Sequence, residues 1–326
     1  MLRFPVPNML LSTGLRQEVS TLKDRIATTS LEAVTGRYAD LTTHLSGRIG
    51  SAMLSQKAID DIGAERVRLT LRESRLDLSQ RTLEVLQTGA DGLAARMQSA
   101  IGSGNTASQW TVAADAKAVL QQTFSLMNTR HGERFLFAGD ATDTPPFAAV
   151  ETFLDDVRTL ANAAADPAAF ETALDDYFNT PGAGWQANIY RGTATGSDPE
   201  AVNGMNPALT DMFRSLAVFA LGGQGENIPL IDNNPDILIT ASEKLVSGQT
   251  DLVTLRSALG VFQGQIADRK ETLDMEEVVL TRTFNEMTAR DQYEAAAELT
   301  ELETNLEASY ALTARLSGLS LLNFIR

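Results

Sequence analysis

Residues 62–97, IGAERVRLTLRESRLDLSQRTLEVLQTGADGLAARM, place an apolar residue at every seventh position. The row consists of Ile62, Leu69, Leu76, Leu83, Ala90 and Met97. Residues seven apart lie on nearly the same face of an α-helix, and a row kept over this many heptads is typical of a coiled coil. We therefore predict a long helix whose apolar row packs against a partner helix.

The same register continues upstream of this stretch. Val34 and Leu41 belong to the row. Companion positions widen the apolar face at Tyr38, Leu45, Ala52, Ile59, Ala94 and Ile101. Gly47 and Gly50 predict a break or kink, because glycine in a helix interior costs about 1 kcal/mol relative to alanine.

A second apolar row lies on the opposite side of the predicted helix. It consists of Leu71, Leu78 and Val85, again seven residues apart. A helix with one partner needs only one apolar face. We expect the opposed row to meet another helix of a bundle or a neighbouring subunit.

The proline distribution divides the chain into three parts. The ten prolines lie at Pro5, at Pro7 and between Pro145 and Pro235, so residues 8–144 and 236–326 contain none. Proline costs about 3 kcal/mol inside a helix, and segments this long without it are free to form extended helices. The fold class is therefore mainly α. Long N- and C-terminal helices form a coiled-coil or helical rod, and a small mixed α/β insert domain lies between them.

Composition excludes several functional classes. Of the 326 residues, 43% are hydrophobic but only 6% are aromatic, which suits slender helix–helix packing. With 27 basic and 42 acidic residues the net charge is -15, so we expect no nucleic acid and no membrane surface as a partner. The chain has no cysteine, which removes disulfides and thiolate metal sites. No cleavable signal peptide is visible.

Helical spacing stops in residues 134–147. Phe135 and Phe137 alternate about Leu136, and Gly139 and Asp140 can form a turn, which predicts a β-hairpin. The following insert, residues 148–235, is rich in proline, glycine, asparagine and aspartate. We predict helices over 150–177 and 209–221 and a short strand over 185–190.

The C-terminal part returns to helical spacing. From about residue 236 an apolar row runs through Leu255, Leu259, Phe262, Ile266, Leu273, Leu280, Phe284 and Met287. The last segment, between Arg315 and Arg326, contains no charged residue. A tail this apolar is expected to be buried in an assembly or covered by a partner.

No arrangement of residues predicts catalysis or metal binding. His44 and His131 stand apart from any metal-binding motif, and the Asp155-Asp156 and Asp175-Asp176 pairs are more typical of solvated surface. Asp232, Asn234 and Asp236 alternate as the ligands of a calcium loop do, but the glycine and the final acidic residue of such a loop are absent. We expect no enzyme activity, no cofactor and no metal.

Several motifs resemble the flagellin family. FLFAG at 135–139, followed by DATDTPPF, is similar to the family's aromatic-x-Phe-x-Gly turn with a later Pro-Phe. The C-terminal part is similar to the family in RSALG at 256–260, DQYEAA at 291–296, LEASY at 306–310 and LSLLNF at 319–324. The N-terminal part departs from the family, with Thr35-Gly36-Arg37-Tyr38 where a Ser-Gly-x-Arg-Ile signature is usual.

The resemblance implies a division into three domains. Residues 1–33 with 300–326 would form a terminal helical assembly domain, residues 34–147 with 236–299 a helical rod domain, and residues 148–235 an outer insert domain. The predicted assembly seam consists of Ile62, Leu69, Leu76, Leu83, Leu306, Tyr310, Leu316, Leu319, Leu322 and Phe324. The predicted hairpin carries Phe135, Phe137, Gly139, Pro146 and Phe147.

The function that the resemblance implies is a structural adaptor at the hook-filament junction of the bacterial flagellum. It would join hook-associated protein 1 to flagellin outside the cell, together with sister subunits, after type III export assisted by a chaperone. Two alternatives stay open: a flagellin that forms the filament itself, and a cytoplasmic coiled-coil signalling or chaperone rod.

Overall fold

The computed structural model describes the backbone of residues 6–193 and 198–324 and the side chains of residues 13–193 and 198–315. Within these residues the fold is mainly α-helical, with one two-stranded antiparallel sheet. The predicted fold class is confirmed. The elements, in chain order, are α1 (Val6–Thr35), α2 (Leu41–Leu45), α3 (Ile49–Ala90), α4 (Leu93–Gly102), α5 (Thr106–Met127), β1 (Arg130–His131), β2 (Arg134–Phe135), α6 (Val150–Ala163), α7 (Pro167–Asn179), α8 (Pro207–Leu221), α9 (Pro229–Asn233), α10 (Pro235–Thr288) and α11 (Gln292–Phe324).

The chain forms two compact units. One consists of residues 1–66 and 271–326, and the other of residues 67–270. Both units therefore contain N-terminal and C-terminal sequence, and helices α3 and α10 contribute residues to each. The division into three domains that the sequence implies stays a prediction.

The predicted heptad region is divided among several helices. Asp40 begins α2 by accepting hydrogen bonds from the backbone of Thr42 and Thr43, which satisfies N–H groups that have no partner inside the helix. A short 3₁₀ turn, Ser46–Arg48, then separates α2 from α3. The break predicted from Gly47 and Gly50 therefore occurs beside Gly47, and Gly50 lies inside α3.

In the 67–270 unit, α3 and α10 are linked by polar contacts along their length. Lys270 donates to the carboxylate of Glu73 at 2.5 Å, and Gln80 donates to the carbonyl of Arg256 at 2.7 Å. Higher numbers on one helix meet lower numbers on the other, so the two helices are antiparallel. Arg256 also hydrogen-bonds Gln87, which keeps the same register.

This register places the buried heptad residues of α3 and α10 at matching levels. Leu76 lies at the level of Ile266, and Leu83 at the level of Leu259. The predicted row of Leu69, Leu76 and Leu83 is buried. The buried row on α10 consists of Leu245, Leu252, Leu259 and Ile266, so the row begins earlier than the sequence predicted. Burial of each leucine is worth about 1.5–3 kcal/mol.

A second core in this unit is built from aromatic residues. Trp185 lies at its centre, with ring-centroid distances of 5.2 Å to Phe153, 5.7 Å to Phe213, 5.9 Å to Phe147 and 6.2 Å to Phe124. The indole N–H donates to the carbonyl of Gly204 at 3.0 Å. The few aromatic residues of the chain are therefore concentrated where the insert, with its helix α8, packs on α5.

A buried ion pair joins two helices of the insert. Arg214 on α8 is almost fully buried, and its guanidinium contacts the carboxylates of Glu171 and Asp175 on α7. The two acids are four residues apart and so lie on one face of α7. Loss of one partner of such a pair is costly, because the remaining charge stays buried.

The predicted hairpin is displaced in the structure. The strands pair Arg130 with Phe135 and His131 with Arg134, so the hairpin turn lies at residues 132–133 and not at Gly139-Asp140. The hairpin is also shorter than predicted, since each strand has only two residues.

Most of the residues predicted for the hairpin follow its two short strands and pack beside them. Phe135, Phe137 and Phe147 are buried, and Gly139 adopts a left-handed conformation with φ of 61°. The carbonyl of Pro146 accepts a hydrogen bond from the backbone of Arg191 at 2.8 Å. These residues thus pack inside the 67–270 unit.

Two predictions for the insert were wrong in detail. Residues 185–190 form no strand: Trp185–Ile189 is a single π-helical turn, and Tyr190 makes only an isolated bridge with Phe147. The predicted 150–177 helix is two helices, because Asp166 and Pro167 start α7 anew. Aromatic packing, rather than strand pairing, fixes the Trp185 segment.

A matched pair of substitutions on α3 tests the buried row. Leu76 is 2% exposed and Leu71 is 56% exposed. We expect Leu76→Ala to lower the free energy of unfolding by about 2–5 kcal/mol through a cavity in the core, and Leu71→Ala to change it by less than about 0.5 kcal/mol. Urea denaturation followed by circular dichroism measures both. Equal losses in the two variants would contradict the assignment of the faces.

Candidate assembly site

In the unit formed by residues 1–66 and 271–326, helices α1 and α11 pack along each other. Arg25 donates to the carboxylate of Glu298 at 2.9 Å, and Glu32 pairs with Arg290, just before α11 begins. The helices are therefore antiparallel. Thr29 of α1 and Ala295 and Leu302 of α11 are buried. The two ends of the chain come together in this unit, as the sequence predicted.

The turns that precede α2 and α11 join through their backbones. We call residues 36–38 and 288–290 the joint. The backbone N–H of Tyr38 donates to the carbonyl of Thr288 at 3.1 Å, and that of Arg290 donates to the carbonyl of Gly36 at 2.9 Å. Arg37 and Ala289 form an antiparallel bridge. Two strand-like segments, distant in sequence, thus hold the two turns in one register.

A network of charged residues lies across the joint. Arg290 contacts the carboxylates of both Glu32 and Glu298, and its guanidinium lies 5.2 Å from the ring centroid of Tyr38. Glu32 is buried and also accepts a hydrogen bond from the backbone of Ala39 at 2.9 Å. Because each buried charge has an opposite partner, the network favours the closed arrangement over one in which the turns separate.

Glu298 is the titratable group that this network perturbs. The hydrogen bond from Arg290, with a further one from Arg25, holds the pKa of Glu298 below its usual value, against the opposing effect of burial. A carboxylate whose pKa is lowered by folding stabilises the folded state as long as it is ionised. The pairing of α1 with α11 is therefore coupled to pH.

The structure separates the predicted seam residues into two groups. Ile62, Leu69, Leu76 and Leu83 are buried within the chain and are not available to a sister subunit. Leu306 is half-buried, and Tyr310 remains 46% exposed. The side chains of Leu316, Leu319, Leu322 and Phe324 lie outside the described residues.

The paired terminal helices keep apolar side chains on their outer surface. Leu31 and Val34 on α1 and Tyr293 and Leu312 on α11 are all more than half exposed. Leu31, Val34 and Tyr293 lie close to the joint, and exposed apolar residues that are neighbours on adjacent helices are typical of surfaces that bind other proteins. The arrangement supports a role in assembly.

Sequence reasoning missed Glu32, Arg290 and Glu298. Glu32 and Arg290 are 258 positions apart along the chain, and neither belongs to a motif that marks a charged network. The family motif nearest to these residues is DQYEAA at 291–296, which directly follows Arg290 and spans the start of α11.

Among the residues that the structure describes, no group of three histidine, aspartate or glutamate side chains could hold a metal ion. In the same part of the chain, none of the helices combines the length and apolarity needed to cross a bilayer.

Residues 244–325 match the family model of the bacterial flagellin C-terminal helical region. The chain carries a flagellin-family C-terminal region. The resemblance seen in the sequence is confirmed over this range, which holds most of α10 and α11. The flagellin match supports a structural role in the bacterial flagellum, in assembly with other flagellar subunits.

The crystal structure of Bacillus cereus FlgL shares 14% sequence identity, with 72% of this chain and 99% of that chain covered and a TM-score of 0.49. No curated protein sequence matches the chain.

Gly36 gives a test of the joint. Its φ is 67°, a conformation that costs a residue with a side chain about 1–2 kcal/mol, and an added Cβ would lie 3.2 Å from the side-chain nitrogen of Gln292. We expect Gly36→Ala to lower the free energy of unfolding by at least about 1 kcal/mol. Gly63→Ala is the control: Gly63 lies inside α3 with open space around it, so this variant should be neutral or stabilising. A stable Gly36→Ala protein would contradict the geometry of the turn.

The charged network predicts a pH dependence. Because the pKa of Glu298 is lowered from the usual glutamate value of 4.5, its contribution is complete above that value and is lost as the pH falls through its folded pKa. Glu298→Gln should remove roughly 0.5–1 kcal/mol at neutral pH, with a smaller difference from the original chain below pH 4. Urea denaturation at a series of pH values measures this. Glu303→Gln, on the exposed side of α11, should leave the profile unchanged.

Proposed function

We propose that this chain is a junction subunit of the hook-associated protein 3 type, which joins hook-associated protein 1 to the flagellin filament. The observation that carries the proposal is the pairing of α1 with α11, with Leu31, Val34, Tyr293 and Leu312 left exposed on the pair. Residues 1–33 with 300–326 form the assembly domain in this proposal. Residues 34–147 with 236–299 form the helical rod domain, and residues 148–235 the outer insert domain.

The physical basis of the proposed assembly is burial of these apolar side chains between subunits. Apolar surface removed from water contributes about 25 cal/mol per Å², and ordering of side chains offsets part of this gain. The subunits of one ring, hook-associated protein 1 below and flagellin above would each cover part of the surface. An export chaperone would cover the uncharged C-terminal segment before type III export.

The end of the chain favours a junction subunit over a filament subunit. The closing sequence Ser320-Leu321-Leu322-Asn323-Phe324 is similar to hook-associated protein 3 more than to flagellin. The size of the assemblies that the purified protein forms in solution distinguishes a flagellin from a junction subunit. A purified flagellin forms long filaments, whereas a junction subunit is expected to remain in short assemblies, which electron microscopy and analytical ultracentrifugation distinguish.

A deletion strain tests the junction role directly. Without the gene, we expect intact hooks, no filaments, and flagellin shed into the medium as monomer, because the filament has no surface on which to start. Motility assays and electron microscopy of the strain measure this. Re-expression of the full chain should restore filaments, and re-expression without residues 316–326 should not. Filaments that persist in the deletion strain would contradict the junction role, and activity of the shortened chain would favour a cytoplasmic rod.

A further inference from the structure

Two exposed strips of this chain have opposite charge and similar apolar content. The first, on α3, consists of Val67, Arg68, Leu71, Arg75 and Leu78, and we call it the basic strip. The second, on α10, consists of Glu271, Met275, Val278, Val279 and Glu286, and we call it the acidic strip. The members of each strip recur at intervals of three, four or seven residues, so each strip occupies one face of its helix.

Both strips expose large apolar side chains. On the basic strip Val67 is 71% and Leu71 56% exposed. On the acidic strip Met275 is 58%, Val278 68% and Val279 64% exposed. An open groove of about 600 Å³ lies beside Val278. Leu78 is half-buried, so the uncovered apolar residues are Val67 and Leu71 on the basic strip and Met275, Val278 and Val279 on the acidic strip.

The basic strip is unusual in a chain of net charge -15. Residues 65–81 contain five arginines and three acids. Arg72 is paired with Glu200 and Arg81 with Asp77. Among the described residues, no carboxylate lies within ion-pair distance of Arg68 or Arg75. Arg68 is exposed, whereas Arg75 is half-buried and lines a cavity together with Phe135, so Arg68 carries the exposed positive charge beside the apolar residues of this strip.

The acidic strip lies in a stretch of α10 where acidic residues outnumber basic residues. Residues 271–286 contain five acids and one arginine, Arg282. Arg66 of α3 pairs with both Asp274 and Glu277, and Arg282 pairs with Glu286. In the described part of the chain, no basic group lies within ion-pair distance of Glu271. The region therefore keeps a net negative charge after its internal pairs are counted.

We propose that the basic strip of one copy of this chain packs on the acidic strip of a second copy. Apolar rows on two helices interlock at helical spacing, and opposite charges along their edges select this pairing over basic-to-basic or acidic-to-acidic contacts. The inference rests on the proposed function, since it names the contact between neighbouring subunits of the proposed ring.

The two strips differ, so the contact is heterologous. Each copy uses its basic strip toward one neighbour and its acidic strip toward the other, which continues as a ring or an open helix. One pair of short helix faces buries less than the roughly 1,200 Å² of a stable complex. We therefore expect weak pairs in solution and cooperative growth when several contacts form together.

The absence of cysteine makes disulfide capture a direct test. Two full-length single-cysteine chains are prepared, Leu71→Cys and Val278→Cys, one with a size tag. On mild oxidation of their mixture we expect a mixed covalent dimer at least about fivefold above the dimer formed by either chain alone. The control replaces Val278→Cys by Val253→Cys, which is half-exposed on α10 outside the acidic strip. Mass spectrometry identifies the linked peptides.

The charge of the strip is tested in the same assay. Adding Arg68→Glu to the Leu71→Cys chain should lower the yield of mixed dimer about three- to tenfold, whereas Arg68→Lys should leave it unchanged. Raised salt should lower the yield of the original pair as well, because it screens exposed charges.

Three results would overturn the inference. The first is a mixed-dimer yield no higher than that of the Val253→Cys control, and the second is equal yields with Arg68→Glu and Arg68→Lys. The third is a Leu71→Cys chain that dimerises with itself as readily as with Val278→Cys. If any of these occurs while the chain still restores filaments in the deletion strain, the strip pairing fails and the junction role stands. A deletion strain with normal filaments removes the junction role whatever the cross-linking result.

Discussion

The antiparallel pairing of N-terminal with C-terminal helices is the constraint on which the rest of the structure depends. In one unit α3 lies against α10, with Leu76 opposite Ile266 and Leu83 opposite Leu259. In the other, α1 lies against α11. An isolated helix of this kind is only marginally stable in water, and packing of its apolar face supplies most of its stability. Neither half of the chain is therefore expected to keep its structure without the other.

The connecting turns fix how the terminal helices enter this arrangement. At the joint, residues 36–38 and 288–290 exchange backbone hydrogen bonds, and Arg290 neutralises Glu32 and Glu298. A turn held by backbone pairing and buried charge allows few alternative geometries, because each alternative leaves polar groups without partners. The joint therefore gives the paired terminal helices a defined starting position for assembly.

The exposed apolar residues lie on helix faces other than those that pack within each unit. Each helix uses one apolar face inside its unit, and α1, α3, α10 and α11 also have apolar side chains on their outer faces. These outer residues contribute little to the fold of a single chain. Their position on the outer faces fits a structural role in assembly with other flagellar subunits.

The sequence by itself determined the long helices, the break near Gly47 and the buried row of α3, because heptad spacing and proline are local signals. Only the tertiary structure decided the π-helical turn at Trp185, the position of the hairpin and the network at Arg290. Each of these depends on side chains brought together from distant positions. Packing of Trp185 against five aromatic rings, or of Arg290 between two glutamates, has no pattern that neighbouring residues in the sequence can show.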